Sequence, residues 1–131
     1  MKKVLFAILV LAALALAACG GGGAVAATPA PVPADYAGMT SPVGADAAAG
    51  AEIFKTNCES CHGPQGYGDG PAGAALDPAP KNLPELMPLV GDDFLYWRIN
   101  TGKEGTSMVA WKGVLTDEQI WQVVAYVRTL K

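Results

Sequence analysis

Cys58, Cys61 and His62 are the residues of this chain with the greatest capacity for chemistry, and they stand together as Cys58-Glu59-Ser60-Cys61-His62. Three chemistries compete for that spacing. A structural zinc ion usually takes four protein ligands, but His62 is the only histidine and there is no second cysteine pair. A dithiol redox pair needs a βαβ setting, which the sequence does not offer. The third is covalent attachment of a c-type haem. Each thiol would add its S–H across one vinyl group, while the adjacent imidazole binds the iron from one face. Two intervening residues let both sulfurs reach the same porphyrin edge. The spacing therefore points to one haem, held by Cys58 and Cys61, with His62 on its iron.

With a single histidine, a bis-histidine haem within the chain is excluded. The second axial position falls to Met39, Met87 or Met108, or stays open. Met39 lies in a Gly/Pro-rich stretch, and Met87 sits between Leu86 and Pro88. Met108 follows Gly105-Thr106-Ser107 and precedes the last predicted helix by a short loop, so the chain can wrap the second haem face there. Methionine fills cores more often than it binds metal; Met108 is the expected ligand and Met87 its main rival. A thioether ligand raises the haem potential, which suits an electron carrier.

Three helices must position these groups. Asp46 caps a predicted helix running through Lys55, with Ile53 and Phe54 as its apolar bulk. A second runs from Asp92 to Thr101, with acids at its start and Gly102 past its end. Phe94, Leu95, Tyr96, Trp97 and Ile99 surround it with apolar surface, so it packs on more than one side. In the third, Thr116 and Gln119 make a capping box. Ile120, Val123, Val124, Val127 and Leu130 follow at helical spacing. Gly63 to Pro88 is rich in glycine and proline, which excludes a continuous helix or a central strand there. The expected class is all-α with long loops, a poor core that a haem would complete.

The 131 residues suffice for one domain. Met1–Ala18 has the form of an export signal: Lys2 and Lys3, then an uncharged apolar run shorter than the ~20 residues of a bilayer span. The net charge of -3 becomes more negative without those two lysines. Nucleic acid is thereby disfavoured as a partner, because phosphate binding needs a basic face. Residues 19–45, with Gly20-Gly21-Gly22-Gly23 and Thr28-Pro29-Ala30-Pro31-Val32-Pro33, are expected to be a flexible tether with no fold of its own. The folded domain is expected over 46–131.

Two resemblances sharpen this picture. Leu16-Ala17-Ala18-Cys19 resembles the lipobox of bacterial lipoproteins, which implies cleavage before Cys19 and lipidation of its thiol and amino group. Two or more acyl chains anchor a protein stably, whereas one does so only marginally. Residues 46–131 resemble a class I cytochrome c domain in the order helix, Cys58–His62, loop, middle helix, Met108, final helix. Gly50 and Phe54, and Tyr126 in Val124-Ala125-Tyr126-Val127, match the family's residues where the first and last helices cross. The resemblance also implies a proline carbonyl, assigned to Pro80, that accepts a hydrogen bond from His62 Nδ1 and orients the ring. Val109 stands where many relatives have proline.

The implied function is single-electron transfer by a haem protein, anchored through Cys19 at the outer face of a bacterial cytoplasmic membrane, in a respiratory or photosynthetic chain. Its partners would be redox proteins, met either by a tethered shuttle or within a quinol-oxidising assembly, as in the monohaem subunit of alternative complex III. A haem enzyme or gas sensor with an open sixth site is the rival. It is weakened because the only histidine is used proximally. A haem serving only to staple the fold is a third reading.

Overall fold

The structure, a computed structural model, describes residues 28–131; the expected signal segment and Cys19 lie outside the described residues. Helix α1 spans Ala47–Asn57, α2 is the short helix Glu59–His62, α3 is one turn at Leu83–Leu86, α4 spans Asp92–Thr101 and α5 spans Asp117–Val127. Short 3-10 turns occupy Gly73–Ala75 and Met87–Leu89. Among the described residues there is no strand, only an isolated bridge between Lys112 and Leu115.

The helix ends form where local chemistry satisfies the backbone. The Asp46 carboxylate accepts from the amides of Ala48 and Ala49 at 2.8 and 3.2 Å. Thr116 and Gln119 complete the reciprocal capping box at the start of α5. Such caps contribute about 1 kcal/mol each. α4 stops at Gly102, whose φ of 69° is readily adopted by glycine.

α1 crosses α5 with Gly50 at the contact, where a Cβ would fall on the Gln122 carbonyl. Phe54 lies in the same interface, 2% exposed, with its ring centroid 5.2 Å from that of Tyr126. α4 packs on the other side of α5, where Tyr96 stacks on Trp121 at 4.4 Å. Two apolar clusters result. One joins α4 to Ile120, Trp121 and Val124; the other joins Phe54 and Leu83 to Val123 and Val127. Arg128, just past α5, ties the helices to the connecting loop. It bonds the Asp92 carboxylate and the carbonyls of Met87 and Val90 at 2.8 to 2.9 Å.

The expectation for residues 19–45 needs correction in its inner part. Val32, Tyr36 and Met39 pack against the α4 cluster. Their amphipathic placement, every third or fourth residue, buries one side of a segment whose composition otherwise suggests a linker.

Tyr96 gives the fold a pH signature. Burial, then the hydrogen bond and charge of Asp117 at 2.7 Å, push its hydroxyl from the ordinary 10 up to about 12. The folded state holds this proton more tightly than the unfolded one. Its contribution is therefore complete below pH 10 and is lost as pH rises through 12. Urea titrations over that range should show a declining midpoint, and Tyr96→Phe should remove this part of the decline.

Candidate haem site

Between α2, α4 and the loops lies a cavity of about 450 Å³, in the roughly 300–1,000 Å³ range of cofactor pockets. Cys58, Cys61 and His62 line one wall and Met108 lines the cavity with them. Leu83, Phe94, Ile99 and Val123 supply apolar wall from both core clusters.

α2 is too short to hold itself. The preceding helix runs almost directly into it, since the Cys58 amide bonds the Phe54 carbonyl at 2.8 Å. The glycine-rich loop then returns alongside. Gly68, Gly70 and Ala72 donate to the carbonyls of His62, Cys61 and Ser60 at 2.8, 3.2 and 2.8 Å. A Cβ on Gly70 would lie 2.5 Å from the Ser60 carbonyl oxygen and 2.6 Å from that of Glu59. Turn formation accounts for such a glycine in the sequence; in the fold it permits backbone to press on backbone behind the Cys–His segment.

Cys58 and Cys61 are not joined to each other in a disulfide. Burial, then the neighbouring Cys61, push the Cys58 thiol up to about 12. A reactive dithiol needs the opposite shift, and no cluster of three metal-ligating acid, cysteine or histidine side chains occurs among the described residues. Burial also holds the His62 ring below the ordinary histidine range, so at neutral pH it keeps a lone pair for a metal.

The hydrogen bond expected from His62 to Pro80 is absent. Pro80 lines the cavity, but the buried Nδ1 of His62 has no hydrogen-bond partner. The backbone of the next residue, Lys81, is the group whose polarity favours the protonated ring. In a proline-rich loop the direction of successive carbonyls depends on local backbone angles that composition does not specify.

The three methionines separate cleanly. Met39 and Met87 pack against the core clusters, and Arg128 holds the Met87 carbonyl at 2.8 Å with its Nη1 3.9 Å from the sulfur. Of the three, Met108 is the one that lines the cavity. Its carbonyl accepts from the Lys103 amide at 2.9 Å, and its amide donates to Thr106 Oγ1 at 3.2 Å. Thr106 in turn donates to the Lys103 carbonyl at 2.7 Å. This ring of bonds fixes the loop that carries the thioether. Thr106→Val should cost about 1 kcal/mol of loop order, roughly fivefold in the equilibrium between ordered and released loop. With Met108 on the iron, as expected from sequence, an alkaline titration of the methionine–iron charge-transfer band should then show release at lower pH than in the parent.

Arg98 was not singled out from sequence. Its guanidinium stacks 3.8 Å from the Trp97 ring centroid and lines the cavity, with no acidic side-chain partner among the described residues. Apolar residues on several sides of α4 conceal which way this one cation points. Apolar walls, two thiols, a neutral imidazole, a thioether and an unpaired cation together suit a flat apolar ring with a metal centre and an acidic edge, which is what a haem presents.

The fold and this cavity define a class: helical proteins built around a haem held by their own cysteines. Comparison with known proteins agrees. Residues 45–127 match the family described as "Cytochrome C oxidase, cbb3-type, subunit III". Cytochrome c6 of Synechococcus elongatus is 37% identical over 83 residues, which cover 63% of this chain and 88% of that protein. The cbb3-type cytochrome c oxidase subunit FixP of Bradyrhizobium sp. (strain ORS 278) is 38% identical over 96 residues, covering 72% of this chain but 31% of FixP. The chain thus spans about a third of the length of that relative. A chain of the Kuenenia stuttgartiensis reducing HAO-like protein complex superposes with a TM-score of 0.57 at 27% identity, covering 70% of this chain and 46% of the other.

The chain belongs to this family: it is a monohaem class I c-type cytochrome. Covalently bound haem c is its cofactor, and the all-α class expected from sequence is the one observed.

Proposed function

We propose that this cytochrome is a lipid-anchored carrier of single electrons at the outer face of a bacterial cytoplasmic membrane, within a respiratory or photosynthetic chain. Cys58 and Cys61 would hold the haem through two thioethers, each S–H adding across a vinyl C=C bond with no oxidant consumed. His62 Nε2 and Met108 Sδ would bind the iron, and Arg98 would pair with an acidic group at the haem edge. Cys19 carries the lipid. The haem supplies a one-electron couple. With His62 and Met108 on the iron and the ring held in an apolar wall, ligand exchange would be resisted, which favours transfer over catalysis. The observation that carries this reading is Met108 lining the cavity together with His62.

A second reading, a fixed subunit of a larger oxidoreductase, is favoured by the oxidase-subunit name of the FixP relative. The likeness to cytochrome c6, most of whose length is matched, favours a separate carrier. Membranes solubilised in mild detergent and run on a native gel test the two. Covalent haem of this chain migrating as a small species supports the tethered carrier; stable co-migration with a large assembly makes it a subunit. Haem found wholly in the wash, with no detergent needed, would contradict the anchor.

A further inference from the structure

Residues 28–44 precede the matched domain, which begins at residue 45, yet they reach the haem cavity. Thr28, Pro29 and Ala30 line it alongside Cys58, His62 and Met108. We propose that Thr28–Met39 is a strap that completes the haem site of this chain, closing one edge of the cavity and fastened to α4. The proposal rests on the haem reading above.

The fastening is specific. Tyr36 donates its hydroxyl to Asn100 Oδ1 at 2.9 Å, and Asn100 is 3% exposed on the helix that carries the cavity-lining Arg98 and Ile99. The Tyr36 ring lies 6.2 Å from that of Tyr96. The Gly38 amide donates to the Asp93 carboxylate at 3.0 Å. Between these points the chain turns on itself, with the amides of Tyr36 and Ala37 bonding the Pro33 carbonyl at 2.9 and 3.0 Å. Pro29, Val32, Tyr36 and Met39 are half-buried, whereas most residues between them are exposed. A flexible linker makes no such set of fixed contacts.

A strap at this edge does two things. It excludes water from the haem, which disfavours the more highly charged oxidised state and raises the potential. It also bars small hydrophilic redox reagents from that edge, so exchange is confined to the edges left open.

The test uses the full chain loaded with haem. In the parent, hydrogen exchange should show protection at the amides of Tyr36 and Gly38; exchange at the rate of free peptide would overturn the proposal. Replacing residues 28–39 by Gly/Ser of equal length should lower the midpoint potential and speed reduction by ascorbate several-fold, with the methionine–iron band retained. An unchanged potential and unchanged ascorbate rate, with the band retained, would also overturn it. Tyr36→Phe, which deletes one hydroxyl, should loosen protection at Tyr36 and Gly38; it serves where the larger replacement does not fold. Failure of the haem reading is distinct, because the methionine–iron band would then be missing from the parent itself.

Discussion

Met108→Ala leaves the haem covalently attached but abolishes the low-spin, six-coordinate spectrum and lowers the midpoint potential by on the order of 0.2 V. Both expectations follow from the bond proposed between Met108 Sδ and the iron. The thioether prefers ferrous to ferric iron, and axial ligation controls potentials over a span of ~0.8 V. At about 59 mV per tenfold for one electron, the expected fall is a shift of more than a thousandfold between the two oxidation states. Met39 and Met87 cannot take over, because both are committed to core packing and Arg128 grips Met87. Met87→Leu is therefore the matched control, with spectrum and potential near the parent's. An open-site enzyme or sensor would give the reverse pattern, with little change on Met108→Ala. Optical spectra of the oxidised protein and a potentiometric titration check both variants.

Gly50→Val should prevent accumulation of folded holoprotein. The glycine faces α5, where a Cβ would collide with the Gln122 carbonyl and lie 3.0 Å from the Tyr126 Cβ. Ordinary overpacking costs about 1–3 kcal/mol because side chains can shift. Here the obstacle is helix backbone, which can move only by separating α1 from α5. That separation would strip Phe54 from its place beside Tyr126 and Val123. Burying a phenylalanine contributes about 1.5–3 kcal/mol, so the combined loss approaches the ~5–15 kcal/mol that keeps a domain folded. α1 also leads directly into α2, so the same separation displaces Cys58 and His62. Haem-stained gels of cell extracts should show little holoprotein for Gly50→Val and full amounts for Ala51→Val, one residue away.

The parts legible in the sequence are those whose chemistry is local. Two thiols and an imidazole within five residues can only act together, so the Cys58–His62 segment announces its use before any fold is known. Helix ends are local as well. Asp46, the Thr116–Gln119 pair and Gly102 each satisfy or release backbone groups a few residues away, and the structure places the boundaries of α4 where they were expected. Met108 was reached by position along the chain, and the cavity now separates it from its rivals.

What stayed hidden depends on contacts between distant segments. Tyr36 finds Asn100 across 64 residues, and the spacing of Val32, Tyr36 and Met39 is masked by the Gly, Pro and Ala around them, whose composition suggests a linker. Gly70 needs the Ser60 carbonyl beside it before its lack of a side chain means anything. Arg98 sits on a helix with apolar residues on several sides, so only the rotation of α4 in the fold shows that its side chain borders the cavity. The unbonded Nδ1 of His62 has the same origin: a carbonyl's direction is a property of the folded loop.

The central claim is that Cys58 and Cys61 together hold one haem, and the mass of one peptide tests it. Trypsin should release Thr56–Lys81, which contains Cys58, Cys61 and His62. The account predicts a peptide heavier by one haem, with neither cysteine open to alkylation. A peptide of unmodified mass with two alkylated cysteines, isolated from protein that was exported and folded, would contradict it.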